Sequence, residues 1–313
     1  MNLFSFDGPD GETAAGLSNS LLLKLIFLLL SIIICSLLGL LLIQLLSQAT
    51  GMTLTEIVPI LNPESPLEER NFIRWSQLLN QLTSFVLPVL LMSWFFYRRD
   101  MWRSLSLYPP PHIVLILFAG IIMLTSFPLT QLAYWFNQQL PLPPWMSNME
   151  DQANDTIKAL LVMDSPAVFL FNLTVIALMP ALGEELLFRG VIQQQIEKHF
   201  HRPVAAVWIS AVIFSAFHLQ FAGFFPRLLL GALLGYLLLW TRSLWVPMAA
   251  HFVFNGAQIV GHYMIGEELI ATEQNKEISA NWPAAILSVI LLFGLIYLMR
   301  RFIRREQGPV ESS

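Results

Sequence analysis

Long, uninterrupted apolar runs constrain this chain more than any other feature of its sequence. A helix that crosses about 30 Å of hydrocarbon needs roughly 20 mostly apolar residues. Eight segments meet that requirement, at approximately residues 21–46, 76–97, 113–136, 166–190, 204–221, 225–241, 244–264 and 282–303. The runs are continuous and rich in leucine, without the alternation of an outer-membrane barrel. The pattern therefore predicts an all-α, polytopic membrane protein with about eight transmembrane helices.

Composition agrees with a chain whose main partner is the lipid bilayer. Of the 313 residues, 56% are hydrophobic and 12% are charged, whereas soluble monomers rarely expose the large apolar patches that such a composition implies. Lys and Arg total 17 against 21 Asp and Glu, so no basic surplus exists to neutralise the phosphates of a nucleic acid. Cys35 is the single cysteine, which excludes an internal disulfide framework and a cysteine-rich zinc site.

Charge in the loops predicts how the chain lies in the membrane. We divide the chain into an N-terminal tail at 1–20, one transmembrane domain at 21–306 and a C-terminal tail at 307–313. The first apolar run follows an acidic leader, so this run is interpreted as a retained anchor rather than a signal peptide.

Basic and acidic loops alternate along the sequence. The basic loops contain Arg98, Arg99, Arg103, Lys198, Arg202, Arg242, Arg300, Arg301, Arg304 and Arg305. The acidic loops contain Glu56, Glu64, Glu68, Glu69, Glu150, Asp151, Asp155, Asp164, Glu267, Glu268, Glu273 and Glu277. The positive-inside rule then predicts that both termini are cytoplasmic.

Ionisable residues inside the apolar runs are few, and most of them lie in the fourth run. An ionisable group at the centre of a membrane helix costs about 2.5–3.5 kcal/mol, so such residues are functional candidates by default. Glu185 and Arg189 are four residues apart and share a helix face, which predicts a buried ion pair. Glu184 points about 100° away on an ideal helix and has no partner in its own helix. Lys24 and Arg227 lie near helix starts, where they can snorkel to the interface.

Two further runs carry polar residues at helical spacing. His218 follows Phe214 by four residues in the fifth run, and His251 precedes Asn255 by four in the seventh. Either pair can join neighbouring helices by hydrogen bonds or line a polar pocket. In the fourth run Pro180 removes the amide that would bond to the Ile176 carbonyl, so a kink is expected just before the glutamates.

Together these side chains form an inventory for hydrolysis. Carboxylates, imidazoles and a carboxamide can activate a water and stabilise an oxyanion. Alternatively, Glu184, His218 and His251 are candidate ligands of a zinc ion with one open position. The chain has no HExxH motif, no GxSxG elbow and no aspartate in its apolar runs, which argues against zincin, serine and aspartyl membrane proteases. A secondary transporter is less expected, because the charges fall in one block without a matching block in the first three runs.

The order and spacing of these motifs resemble those of a known family. Glu184-Glu185-x-x-x-Arg189, Phe214-x-x-x-His218 and His251-x-x-x-Asn255 match the three motifs of the CPBP family, whose names include CaaX protease, bacteriocin-processing and Abi family. This family includes the eukaryotic Ras-converting CaaX endopeptidase. The resemblance covers about residues 166–264, and the Glu-Glu-Leu-Leu-Phe-Arg-Gly string is typical of bacterial members.

The resemblance implies an intramembrane endopeptidase in a bacterial inner (plasma) membrane, with its site in a cavity between helices 4, 5 and 7 that opens to the cytoplasm. It implies that Glu184 activates water with help from His218, and that Glu185 and Arg189 orient the site. His251 and Asn255 would stabilise the oxyanion. Such proteins are described both as metalloproteases and as glutamate-driven enzymes. The substrate would be a membrane-associated peptide or protein, prenylated or carrying a leader. A non-proteolytic immunity or scaffold protein of the same fold is the alternative.

Overall fold

The computed structural model describes residues 20–265 and 281–306, and these residues form helices and no strand. The α-helices in chain order are α1 (Leu21–Thr50), α2 (Leu54–Ile57), α3 (Leu67–Gln81), α4 (Leu87–Tyr97), α5 (Met101–Ser104), α6 (Ile113–Thr125), α7 (Phe127–Gln138), α8 (Pro144–Leu161), α9 (Pro166–Asn172), α10 (Met179–Glu184), α11 (Gln194–Phe200), α12 (Pro203–Phe217), α13 (Phe224–Thr241), α14 (Trp245–Ile265) and α15 (Trp282–Glu306). The predicted all-α class is therefore confirmed. The acidic residues Glu267, Glu268, Glu273 and Glu277 and the predicted tails, apart from residue 20, lie outside the described residues.

Several of these helices run into one another through altered turns. The π-helical segments Leu82–Val86, Leu173–Leu178 and Glu185–Gln193 join their flanking α-helices into longer rods, and short 3₁₀ turns lie at Arg98–Asp100 and Phe221–Gly223. One extra residue per turn shifts the side chains that follow, and such turns are frequent at functional sites. Two of the three π segments lie in the rod that carries Glu184 and Glu185.

The predicted count of eight spans is not confirmed. Among the described residues, five helical stretches are long and apolar enough to cross a membrane, or six if the bent pair α6 and α7 forms one span. The bend between α6 and α7 is 41°. The five stretches are Leu21–Thr50, Leu67–Ser104, Pro166–Phe200, Phe221–Thr241 and Trp282–Glu306. These spans and the bent pair agree with six of the eight predicted runs.

The two remaining runs, α12 and α14, are the ones that contribute histidines to the candidate site. Helix α12 has 15 residues, fewer than the roughly 20 that a perpendicular crossing needs. Helix α14 has 21 residues, but polar residues such as His251, Asn255 and Gln258 lower its mean hydropathy. Helix α12 therefore falls short in length and helix α14 in mean hydropathy.

Three predicted boundaries differ from the structure. The predicted loop 47–75 contains α2 and the start of α3, and the predicted loop 137–165 contains α8. The fifth predicted helix ends at Phe217 rather than at residue 221, because Leu219 takes a positive φ of 52° that no α-helix continues. An apolar run across this break hid the helix end from sequence reasoning.

Helix α1 lies at the edge of the molecule, against α4 and the Leu82–Val86 segment. A Cβ on Gly39 would come within 2.3 Å of the Thr83 hydroxyl, so a glycine is required for this approach. Lys24 is 8% exposed and donates to the Tyr97 hydroxyl at 3.1 Å. Its predicted snorkelling is therefore replaced by an internal hydrogen bond.

The rod from Pro166 to Phe200 runs through the centre of the molecule, with α12, α13 and α14 packed around it. A buried apolar cluster joins these elements, and its members include Leu187, Phe188, Phe214, Leu244 and Met248. Because a packed interior resists small displacements, this cluster holds the site-bearing helices in fixed relative positions. A second cluster joins α6, α13, α14 and α15.

Candidate active site

The two glutamates lie where the central rod changes its winding. Glu184 is the last residue of α10, and Glu185 is the first of the π segment Glu185–Gln193. Pro180 lies at the start of α10, directly after the π segment Leu173–Leu178. The local change in winding thus occurs on both sides of Pro180, where the missing amide already weakens the α-helical ladder.

Glu185 and Arg189 form the ion pair that their spacing predicts. The Arg189 Nη1 to Glu185 Oε1 distance is 2.9 Å, and both side chains are 0% exposed. Arg189 Nη2 also donates to the Gly231 carbonyl at 2.9 Å, and the guanidinium lies 4.4 Å from the centre of the Phe214 ring. Breaking a buried pair of this kind by removing one partner costs about 3–5 kcal/mol, since it leaves an uncompensated charge.

Gly231 permits this arrangement by its lack of a side chain. A Cβ on Gly231 would lie 3.1 Å from Phe214 Cδ1 and 3.3 Å from the Ala211 backbone. Helix α13 therefore approaches α12 closely enough for its Gly231 carbonyl to reach Arg189. The small residues Gly231 and Gly235 thus bring two helices together, as their spacing indicates.

Both histidines converge on Glu184. His218 Nε2 lies 3.9 Å from Glu184 Oε1, and His251 Nε2 lies 3.9 Å from Glu184 Oε2. Glu184 is 6% exposed, and its Oε2 atom has no hydrogen-bond partner among the described residues. The structure thus brings together a buried carboxylate and two imidazoles from three separate helical stretches.

The second nitrogen of each ring fixes its orientation. His218 is the residue that caps α12, and its Nδ1 lies 2.8 Å from the Phe214 carbonyl. His251 Nδ1 lies 2.9 Å from Glu185 Oε1. Carbonyl and carboxylate oxygens only accept, so both Nδ1 atoms carry a proton. Each Nε2 is consequently the atom that is free to exchange a proton on the Glu184 side.

Asn255 lies one turn beyond His251 on α14, and its amide contacts the central rod. Asn255 Nδ2 donates to the Ile176 carbonyl at 3.3 Å. Ile176 is four residues before Pro180, so this carbonyl lacks the α-helical amide partner that any other residue at 180 would provide. One proton of the Asn255 amide supports the interrupted helix, and the other makes no hydrogen bond to the described residues.

A network that sequence reasoning missed holds the loop after His218. Arg227 donates from Nη1 to the Gln220 carbonyl at 3.0 Å and from Nη2 to Gln220 Oε1 at 2.8 Å. Asn137 Nδ2 donates to the Phe221 carbonyl at 2.8 Å. Glu150 Oε2 accepts from the Ala222 amide at 3.2 Å.

These three bracing residues gave no sequence signal. Asn137 and Glu150 precede the loop by more than 70 residues, and nothing in their spacing marks a shared contact. Arg227 was expected to snorkel, but its two hydrogen bonds to Gln220 turn it toward the protein. The loop that presents His218 is therefore held from three helices, α7, α8 and α13.

Glu184, His218 and His251 are also the candidate ligands of a metal ion. Within the described ranges, no group of three His, Cys, Asp or Glu side chains is arranged to hold a metal ion. Both Nδ1 atoms are committed elsewhere, and each Nε2 lies 3.9 Å from Glu184. An Nδ1 held by an oxygen acceptor also leaves Nε2 as the nitrogen that a metal would use, so the assignment of Glu184, His218 and His251 as metal ligands stays a prediction. The predicted cavity between helices 4, 5 and 7 also stays a prediction, because two clefts of about 240 and 430 Å³ in the described structure both lie elsewhere.

Comparison with known proteins agrees with the three motifs. The chain is 34% identical over 84 residues to the uncharacterized protein YpbD of Bacillus subtilis (strain 168). The aligned stretch covers 26% of this chain and 40% of that protein, so it spans less than half the length of this relative. No solved structure matches the chain. Residues 166–257, which contain all six candidate site residues, match the Rce1-like family of type II CAAX prenyl endopeptidases, and this match confirms the resemblance to the CPBP family for that segment.

Proposed function

We propose that this protein is an intramembrane endopeptidase that hydrolyses peptide bonds with a water activated by Glu184 and His218. The observation that supports this most strongly is a buried Glu184 carboxylate lying between two imidazole Nε2 atoms, with one of its oxygens unpaired. Buried ionisable groups in membrane segments are functional candidates. The match of residues 166–257 to a protease family supports a hydrolase in general.

The 3.9 Å separation between Glu184 Oε1 and His218 Nε2 is too long for a direct hydrogen bond and suits a bridging water. In the proposed reaction this water loses a proton to Glu184 as its oxygen attacks the carbonyl carbon of the substrate. The carbonyl π bond breaks, and its electrons form the oxyanion of a tetrahedral intermediate. When the carbon–nitrogen bond breaks, Glu184 returns the proton to the leaving amine.

The oxyanion needs hydrogen-bond donors aimed at the position of the substrate carbonyl oxygen. We assign this role to the second amide proton of Asn255 and to His251 Nε2–H. His251 is then doubly protonated, with its Nδ1–H held by Glu185. The charges of Glu184, Glu185, Arg189 and His251 sum to zero in this state, which avoids a net buried charge. A preorganised donor of this kind typically contributes about 10²–10³-fold to the rate.

The site's surroundings suggest a substrate that reaches it from the membrane. We propose a membrane-associated peptide or protein, prenylated or carrying a leader, and a location in the bacterial inner membrane with both termini cytoplasmic. The alternation of basic and acidic loops along the sequence supports this orientation. Cysteine accessibility labelling at positions 98 and 242, in a variant without Cys35, tests it. We expect a membrane-impermeant reagent to leave both positions unlabelled in intact cells. Labelling at either position would show the opposite orientation.

The central experiment compares purified wild type with Glu184→Gln on membrane-anchored fluorogenic peptides in liposomes. Glu184→Gln keeps the shape of the side chain and removes the base, and Glu56→Gln, at an exposed carboxylate, is the matched control. We expect cleavage by wild type and Glu56→Gln only. Equal cleavage by Glu184→Gln would reject the mechanism. Biological activity retained by Glu184→Gln would favour the non-proteolytic scaffold, and a chelator with metal analysis on the same samples tests metal dependence.

A further inference from the structure

A cleft far from the candidate active site combines aromatic walls with arginines. It lies between the end of α13 and the last turns of α15, and its volume is about 430 Å³. Its lining residues are Trp240, Phe293, Ile296, Tyr297, Arg300, Arg301 and Arg304. The volume falls within the range of small-molecule sites, about 300–1,000 Å³.

The lining residues form a graded stripe along α15. Phe293, Tyr297, Arg300 and Arg304 follow one another at spacings of four, three and four residues, so they share one face of the helix. Phe293 and Tyr297 are 72% and 64% exposed, within the apolar length of the helix. The arginines follow at the helix end, where α15 leaves its apolar stretch. The stripe is therefore apolar at membrane depth and cationic at the boundary.

The arginines of the cleft have no carboxylate partner among the described residues. Two other arginines near helix ends are paired with a carboxylate, Arg242 with Glu197 at 2.7 Å and Arg70 with Asp164 at 2.7 Å. Arg300 instead stacks over the Trp240 ring, with its Cζ 5.5 Å from the ring centre. This contact orients the guanidinium and leaves its hydrogen-bond donors free for an anion.

We propose that this cleft binds an anionic phospholipid, with its phosphate on Arg300, Arg301 and Arg304 and an acyl chain along Trp240, Tyr297 and Phe293. A ligand that satisfies both ends of the stripe must be anionic at one end and apolar at the other. Basic pockets between membrane helices bind anionic head groups in this way. The site is distinct from Glu184 and its neighbours, so the proposal does not depend on the peptidase function.

The test uses the full-length protein in phosphatidylcholine nanodiscs doped with phosphatidylglycerol, with bound lipid counted by native mass spectrometry. The double variant R300A/R304A removes two cleft arginines. The control R202A/R305A removes two exposed arginines that do not line the cleft and changes the net charge equally. We expect R300A/R304A to lose phosphatidylglycerol binding by about 30-fold, while the control and phosphatidylcholine binding stay unchanged.

Equal losses in the two double variants would overturn the proposal, because binding would then follow general surface charge. Equal affinities for inorganic phosphate and phosphatidylglycerol would also overturn the proposal, because the cleft would then be a site for free phosphate. W240A keeps every charge and opens the apolar wall. It should also weaken phosphatidylglycerol binding, and unchanged binding in W240A would reject the acyl-chain contact.

Discussion

The molecule contains two fully buried arginines, and their surroundings differ in kind. Arg74 in α3 and Arg189 in the central rod are both 0% exposed. Arg74 donates from Nε to Asn172, from Nη1 to Asn71 and from Nη2 to the Leu160 carbonyl. Arg189 donates to Glu185 and to a backbone carbonyl, while its Nε has no partner among the described residues.

Under the proposed function, the difference separates a structural cluster from a catalytic one. All three nitrogens of Arg74 donate, and Asn172 Nδ2 completes the cluster by donating to the Leu160 carbonyl. Around Arg189, by contrast, Glu184 Oε2 and Glu185 Oε2 are buried without a partner. An unsatisfied buried polar group costs about 1–3 kcal/mol, and a native structure retains such groups where they serve a purpose. Under the proposed function, the unpaired Glu184 oxygen is the one available to a water or a substrate.

The largest effect should follow from changing the base itself. In Glu184→Gln the side chain keeps its volume and loses its ability to take a proton, so we expect kcat on a membrane-anchored peptide to fall by about 10³-fold or more. The melting temperature should change little, because the loss of a charge that offsets His251 is opposed by the removal of a buried carboxylate with one unpaired oxygen. A thermal shift measured on the same preparation checks this. A large loss of stability in Glu184→Gln would place Glu184 in the structural class with Arg74.

For Arg74→Met, the comparison predicts a loss of stability without a loss of activity. The buried Asn172 oxygen and the part-buried Asn71 oxygen would lose the Arg74 donor, while the Leu160 carbonyl keeps Asn172 Nδ2, so the variant should be destabilised by about 3 kcal/mol or more. Activity per folded molecule should be unchanged, because no atom of this cluster contacts Glu184 or the two histidines in the described structure. Denaturant melts and active-site titration of the folded fraction measure the two quantities separately.

Arg189→Met is the matched control for Arg74→Met. Removal of Arg189 frees Glu185, which also holds His251, so both stability and activity per folded molecule should fall. If Arg74→Met and Arg189→Met behaved alike in both measurements, the distinction between the two clusters would be lost.

Sequence reasoning reached these two clusters unequally. The Glu185–Arg189 pair was predictable because its members are four residues apart on one helix. The convergence of His218 and His251 on Glu184 depended on recognising three motifs in order. The Arg74 cluster was missed because Arg74 was assigned to a loop and Asn172 was lost in an apolar run. Contacts between residues about 100 positions apart depend on packing that no local pattern records.

The altered helix turns were equally beyond the sequence. The π segments on either side of Pro180 follow from the way the rod packs, and Pro180 alone predicts only a kink. The end of α12 at Phe217 was missed because Leu219 and Phe221 continue the apolar run. The span count failed for a related reason, since the two histidine-bearing helices are shorter or more polar than the spans around them.

Asn255 gives the next largest effect and tests which of its two amide protons matters. If Asn255 is an oxyanion donor, its change to alanine should lower kcat by about 10²-fold. If Asn255 only supports the Ile176 carbonyl, the same substitution should lower the free energy of unfolding by about 1 kcal/mol and leave kcat unchanged. We expect the fall in kcat, with KM little altered, since the oxyanion exists only in the transition state. Asn255→Asp, which keeps the shape but not the donors, should match Asn255→Ala in rate.

The smallest effect should come from the loop that carries His218. Arg227 touches no reacting atom in the proposed mechanism, and it acts as a positioning residue through Gln220, two residues after His218. Arg227→Gln should lower kcat by about tenfold, as His218 moves away from the best proton-transfer geometry. Arg227→Lys keeps the charge but loses the two-pronged contact with Gln220, so it should not restore the rate.

A double-mutant cycle distinguishes this bracing from simple electrostatics. If Arg227 acts through its bond to the Gln220 side chain, Gln220→Ala should lower kcat in the same direction, and the double variant should be no slower than Arg227→Gln alone. If its positive charge near Glu184 were what mattered, Arg227→Lys would recover the rate and Gln220→Ala would have no effect. Additive losses would mean that the two residues support His218 by separate contacts. The cycle thereby measures how much of the contribution of His218, whose side chain is 26% exposed, depends on a loop held by residues outside the three motifs.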